Sequence, residues 1–252
     1  MEENEKFYSV LSFEDYNEEL KLKNIEIRKK GLLYHVIDSI KKNCAEGSKV
    51  LDVGGGSGIN LLYYGDCLRS NDLYCLDIRE PGKKIKGIKY IKSSVEQIHD
   101  MPLPKFNCIV MTEVIEHLYN PDKVIDDLVE KLLSGGMLII TTPNLAGFLN
   151  VISLLFGYQP VDTEVSTVRA YGRPFTAKGN VVGHIRVFTI KSMEEMLISH
   201  NLKIVKIMSV GRIASDREPI KLKIISALDR FFSKVSKRGG TRMLVMIKKK
   251  SD

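Results

Sequence analysis

The stretch Lys49-Val50-Leu51-Asp52-Val53-Gly54-Gly55-Gly56-Ser57-Gly58 constrains this chain more than any other. Apolar residues that close on an acid and then on glycines make a short buried strand running into a tight turn. Gly54, Gly56 and Gly58 form G-x-G-x-G, and Ile59 to Tyr64 read as the start of a helix. Glycine suits such a turn because no side chain keeps a ligand away from the backbone and positive φ costs little. By itself the triad says only that a nucleotide-like ligand sits at a strand end.

The rest of the chain alternates around that turn. Leu73 to Ile78 is a second strand with Asp77 near its end, Ile88 to Ile91 a short third, and Phe106 to Met111 a fourth. The fourth is almost wholly apolar, as expected of a strand covered on both faces. Met137 to Thr142 is a fifth, closed by Pro143-Asn144. Helices are predicted over Ile59 to Ser70 and Pro121 to Leu133, the latter stopped by Ser134-Gly135-Gly136, and Glu14 to Lys42 reads as one long helix or two shorter ones. Leu145 to Gly183 interrupts the alternation and reads as a cap over the rim. A helix over Ile190 to His200, capped by Thr189 or Ser192, a strand over Leu202 to Val210, a basic amphipathic helix over Ile220 to Ser236 and a last strand over Met243 to Ile247 complete the pattern. This predicts an α/β fold with a doubly wound parallel sheet. An N-terminal helical segment over 1–46 precedes a main domain over 47–252 that carries the cap at about 145–183. Ligands of such sheets sit at the carboxyl ends of the strands, so the glycine turn, Asp77, Ser94, Glu113 and Asn144 should share one rim.

At these residues the sequence resembles the class I S-adenosylmethionine-dependent methyltransferases. Val50 to Gly58 looks like the family's first motif, Phe106 to Leu118 its fourth-strand motif, and Leu132 to Asn144 the element leading to its fifth strand. The resemblance implies a Rossmann-like seven-stranded sheet, mostly parallel, with an antiparallel last strand. It also implies S-adenosylmethionine as cofactor. Asp77 then binds the ribose hydroxyls, which agrees with the two hydrogen bonds a carboxylate can accept from a cis-diol. Asp52 lies near the methionine part or organises the turn, and Gly54, Gly56, Gly58, Ile78, Ser94, Val95 and Thr112 complete the cofactor set. Ser94 stands where the family often has an acid for the adenine amino group. Asp77 follows the glycine turn by about 20 residues, which is also the spacing of dinucleotide-binding dehydrogenases. The Glu-x-x-Glu-His segment and the last strand after a glycine pair belong instead to the methyltransferase pattern.

Glu113, Glu116 and His117 stand at i, i+3 and i+4, one face of a helix if they lie on one. His184 follows in Gly183-His184-Ile185-Arg186-Val187-Phe188-Thr189. Two carboxylates and two imidazoles suit Mg²⁺, Mn²⁺ or Zn²⁺. The set is similar to a pattern in the small-RNA 2′-O-methyltransferases and the O-methyltransferases of ubiquinone biosynthesis, where such residues hold a divalent metal. Glu113, Glu116, His117 and His184 are therefore the candidate ligands. A metal-free role stands beside this, with Glu113, His117 or His184 as catalytic groups, as does a structural one. His35, His99 and His200 have no partner spacing. The chain lacks an Asn-Pro-Pro-Tyr-like tetrad after the fourth strand, which favours oxygen over nitrogen as methyl acceptor.

Charge and composition narrow the partner classes. The 252 residues carry a net charge of +7, with 44% apolar and 27% charged residues. The acidic start Met1 to Lys6 lacks a signal-peptide pattern, and Cys44, Cys67, Cys75 and Cys108 show no C-x-x-C spacing. Both features fit a reducing cytosol. Cys75 and Cys108 fall in predicted buried strands. Arg169, Arg173, Lys178 and Arg186 of the cap region are candidates for a phosphate or carboxylate, and the helix Lys221 to Lys237 suits either solvent or an anionic membrane. A small sugar, lipid-linked or phenolic acceptor ranks ahead of an RNA 2′-hydroxyl, since the chain has no separate RNA-binding module. A non-catalytic cofactor-binding partner subunit is the remaining class. The sequence is silent on oligomeric state.

Overall fold

The computed structural model describes residues 13–174, 181–200, 202–214 and 218–249. The acidic start and Lys178 of the cap region lie outside these residues. The elements in chain order are α1 (Phe13–Arg28), α2 (Leu32–Asn43), β1 (Val50–Val53), α3 (Ile59–Leu68), β2 (Leu73–Asp77), β3 (Ile88–Lys92), β4 (Phe106–Thr112), α4 (Pro121–Glu130), β5 (Leu132–Pro143), α5 (Phe148–Leu155), α6 (Ile190–Ser199), β6 (Lys203–Val210), α7 (Ile220–Val235) and β7 (Arg242–Lys248). Short 3₁₀ turns at Val95–Asp100 and Ile115–His117 follow β3 and β4.

The seven strands form one sheet in the order β3-β2-β1-β4-β5-β7-β6. β7 runs antiparallel to both its neighbours, and every other pairing is parallel. Alternate side chains of the central strands feed two cores, as a strand's two-residue period requires. Leu51, Ile109, Leu138 and Val245 pack on one face against Val95, Ile125, Leu128, Met193 and Leu197. Val50, Cys108, Ile139 and Leu244 pack on the other against Val36, Ile40, Leu61 and Tyr64. Cys75 and Cys108 are buried free thiols.

Of the two readings of the N-terminal stretch the one with two shorter helices holds, while one helix boundary and one histidine differ from the sequence reading. The N-terminal helical stretch breaks into α1 and α2 at Lys30, whose φ is +57°, and Gly31. α4 ends at Glu130 instead of Leu133, because buried Leu132 pairs with Phe106 and already belongs to β5. His200 does have partners. Its Nδ1 and Nε2 lie 2.7 Å and 3.0 Å from Asp126 and Asp122 of α4, so the ring pins the end of α6 to α4.

The hydrogen bond to Asp122 raises the His200 pKa above its ordinary 6.5, with Asp126 adding to it against partial desolvation. A raised folded-state pKa contributes stability fully below the unfolded value and loses it as pH rises through the folded one. His200→Gln should therefore lower the melting temperature more at about pH 5.5 than at about pH 8.5, with a stability difference under ~1 kcal/mol for so exposed a pair of carboxylates. Thermal melts of both proteins across that range test it.

Candidate active site

The sheet order reverses between β1 and β4, where a doubly wound sheet opens a crevice. A cavity of about 830 Å³ occupies that position, lined by Gly54, Asp77, Ile78, Ser94, Val95, Glu113, His117 and His184 among others. Gly54, Gly56 and Gly58 all have positive φ. Gly54 is fixed by more than its φ, because a methyl group there would collide with the Val114 side chain after β4. Gly55, not singled out by the sequence motif, is equally constrained: its Cβ would lie 2.7 Å from Cys75 Sγ and 3.1 Å from Asp52 Oδ2.

Asp77 is buried and closes the turn from the next strand. Its Oδ2 accepts from Gly56 N at 2.9 Å and its Oδ1 from Arg79 N at 2.9 Å. Ser94 caps the 3₁₀ turn by accepting from Glu96 N at 3.2 Å. Glu96, another residue the motifs did not mark, accepts from Tyr119 N and Asn120 N and lines the same cavity. Asp52, Gly56, Gly58 and Thr112 are not among the residues lining it. Asp52 Oδ2 and Thr112 Oγ1 are buried without a hydrogen-bond partner. Burial, opposed by Lys23 and reinforced by Asp77, pushes the Asp52 carboxyl up to about 7. An uncompensated buried carboxylate beside a glycine turn fits a ligand that brings positive charge or donors. Asn144, expected on the rim, is instead buried and donates to the Arg238 and Gly240 carbonyls at 2.8 Å each.

The segment after β4 is not the helix face that its spacing allowed. Glu113 has φ +54°, and only Ile115–His117 form a 3₁₀ turn. This sends the two glutamates to different partners. Glu113 Oε2 lies 2.7 Å from Arg242 Nε at the start of β7, and its Oε1 accepts from Thr141 at 3.2 Å. Glu116 is buried, its Oε2 accepting from Thr142 Oγ1 at 2.9 Å and its Oε1 lacking a partner. That free oxygen is 3.9 Å from both His117 Nε2 and His184 Nε2.

The histidine tautomers follow from their other nitrogens. His117 Nδ1 is 3.0 Å from the Gly183 carbonyl, and His184 Nδ1 is 2.7 Å from the Asp162 carbonyl. A carbonyl can only accept, so each Nδ1 carries the proton and each Nε2 presents a lone pair. Two imidazole lone pairs and one carboxylate oxygen thus converge within 4.8 Å of one another. Ligands about 2.1 Å from a tetrahedral ion stand about 3.4 Å apart, so a small contraction would close the set. Among the described residues Glu113 is not part of it; Arg242 holds that carboxylate aside.

The cap supplies the supports. Half-buried Glu164 accepts from Val182 N, Gly183 N and His184 N at 2.7, 2.8 and 3.3 Å, and pairs with Arg173 at 2.8 Å. Asp162 pairs with Arg242 at 3.0 Å while its carbonyl orients His184. Arg173 is therefore committed within the cap, and Arg186 donates to the Leu118 carbonyl. Glu164, Asp162 and Arg242 carry no motif signal, since Glu164 acts on backbone groups of an irregular segment and Asp162 and Arg242 meet from 80 positions apart.

Burial first, and Glu113 second, push Glu116 up to about 8. For an acid raised in the folded state, stability falls as pH rises from the unfolded pKa toward the folded one. In metal-free buffer Glu116→Gln should melt higher than the parent at about pH 8.5, by on the order of 3 °C, and the gain should shrink toward about pH 5. Equal melting at both pH values would mean that the carboxylate carries no unmet charge.

Residues 25–207 match the family described as a methyltransferase domain. The chain is 30% identical over 131 residues to a mitochondrial ubiquinone biosynthesis O-methyltransferase of Dictyostelium discoideum, covering 45% of this chain and 40% of that one. It is 30% identical over 147 residues to the ubiquinone biosynthesis O-methyltransferase of Rickettsia prowazekii, covering 51% and 56%. The chain thus spans about half the length of these curated relatives. A crystal structure of a SAM-dependent methyltransferase from Archaeoglobus fulgidus shares the fold with a TM-score of 0.53 at 15% identity, over 89% of this chain and 98% of that one.

Proposed function

The chain belongs to the methyltransferase-domain family, in the class I S-adenosylmethionine-dependent group, and from that premise we propose that it transfers a methyl group from S-adenosylmethionine to a hydroxyl oxygen of a small phenolic, sugar or lipid-linked acceptor, with help from a divalent metal. The observation that carries the oxygen and metal reading is the convergence of Glu116 Oε1, His117 Nε2 and His184 Nε2, with both Nδ1 protons already held by carbonyls. The relatives' names favour a phenolic acceptor.

The glycine turn and Asp77 cradle the cofactor, with Ile78 and Val95 offering apolar contact to its base. An ion held by Glu116, His117 and His184 would act as a Lewis acid that acidifies an acceptor hydroxyl. Two imidazoles with one carboxylate favour Mn²⁺ or Zn²⁺ over Mg²⁺. Glu113 faces the same cavity, and burial raises its carboxyl above the ordinary range despite Arg242, which suits it to receive a proton. The remaining demand is position, since an activated methyl needs an in-line nucleophile and little more.

Isothermal titration with S-adenosylmethionine should show binding that Asp77→Ala weakens strongly; no binding by the well-folded parent would sink the cofactor reading. With a catechol-type acceptor and labelled cofactor, EDTA should abolish transfer, Mn²⁺ or Zn²⁺ should restore it, and Glu116→Ala and His184→Ala should each lower it roughly a hundredfold or more. Full transfer in EDTA would remove the metal and leave His117 Nε2 as a base.

A further inference from the structure

α7 is built inside out. Its buried positions include Ser226 and Asp229, at 2% and 0% exposure, whereas Ile220, Phe231 and Val235 are 69%, 58% and 67% exposed. With Ile224 and Leu228, also exposed, they recur at spacings that make one stripe along the helix, and the stripe faces solvent. A helix on a water-facing surface turns the opposite way. Nor is the pattern isolated. α5 touches α7 through the stacked rings of Phe148 and Phe232, 3.7 Å apart. α5 and the residue after it have no charged side chain and expose Val151, Leu154, Leu155 and Phe156.

Charge decides what such a surface meets. Exposed Lys221, Lys234, Lys237 and Arg238 lie on or just after α7, and its single acid, Asp229, is fully buried. A second copy of this chain would bring the same cations against themselves, whereas an anionic headgroup layer would pair with them while its acyl boundary accepts the apolar stripe. Among the described residues no helix is long and apolar enough to cross a membrane, so the contact would lie in the interface plane. We propose that α7 and the exposed face of α5 dock the protein on an anionic phospholipid bilayer.

Co-sedimentation of the full chain with phosphatidylglycerol-containing vesicles and with pure phosphatidylcholine vesicles tests this. The protein should pellet with the anionic vesicles, weakly or not at all with the neutral ones, and less at high salt. The double variant Ile224→Asp/Phe231→Asp should abolish pelleting, and Lys221→Gln/Lys234→Gln should weaken it roughly tenfold, with both variants keeping the parent's circular dichroism melt. Failure of the parent to pellet with anionic vesicles would overturn the proposal, as would pelleting that both double variants retain. A parent dimer seen by light scattering and split by Ile224→Asp/Phe231→Asp would also overturn it in favour of a second copy. Vesicle binding reads neither cofactor nor acceptor, so its outcome is independent of the proposed chemistry.

Discussion

The geometry of the rim depends on one topological constraint. The chain leaves β1 for β2 and β3 on one side and returns to β4 on the other. The connections after β1 and β4 therefore part above the sheet, and the ligand cavity opens between them. Both lips must stay slim for this to work. Gly54 N donates to the Leu76 carbonyl at 2.7 Å, which draws the turn onto β2, and Val114 occupies the space a side chain at Gly54 would need. The glycine turn is thus set as much by packing from the fourth strand's exit as by the ligand it would receive.

Around that opening the chain buries more carboxyl oxygens than it pairs. Asp52, Glu113 and Glu116 are all pushed upward by desolvation. Arg242 answers Glu113 directly, Thr142 answers one oxygen of Glu116, and Asp52 Oδ2 and Glu116 Oε1 keep no partner. Such groups lower stability unless something else meets them. The cationic groups that the proposed chemistry would bring are the complement: the donor's sulfonium, and a divalent cation held by Glu116, His117 and His184. Strain is stored at the same place, since Glu113 is a non-glycine residue at positive φ, held there by Arg242 and Thr141.

The sheet was legible because its information is local: apolar runs, glycine punctuation and an acid at a strand end. His117 and His184 were marked by residue type and by the family resemblance, and the structure brings their ring nitrogens to one oxygen of Glu116. The partition between the two glutamates was not, because it turns on a backbone bend at Glu113 and on Arg242, which lies 129 positions further along in β7. Glu164 and Asp162 were hidden for the same reason. Their roles are to hold a backbone segment and a ring nitrogen, and such roles leave no periodic trace. Asn144 misled because its place after β5 predicts a rim residue, yet its amide closes the Gly239-Gly240 turn.

The inverted polarity of α7 belongs to the same network. Asp229 accepts from Arg212 N at 2.6 Å and from Thr241 N and Oγ1 at 3.1 and 2.7 Å, and Ser226 accepts from the Arg212 side chain at 2.7 Å. Thr241 precedes Arg242, the residue that holds both Glu113 and Asp162. Rotating α7 to bury its apolar stripe would break Asp229's grip on Thr241 and free the start of β7. Leaving that carboxylate buried and unmet would cost on the order of several kcal/mol. The stripe therefore stays outward because the polar face is needed inward, and the surface that faces the solvent is mechanically tied to the arginine that holds Glu113 and Asp162.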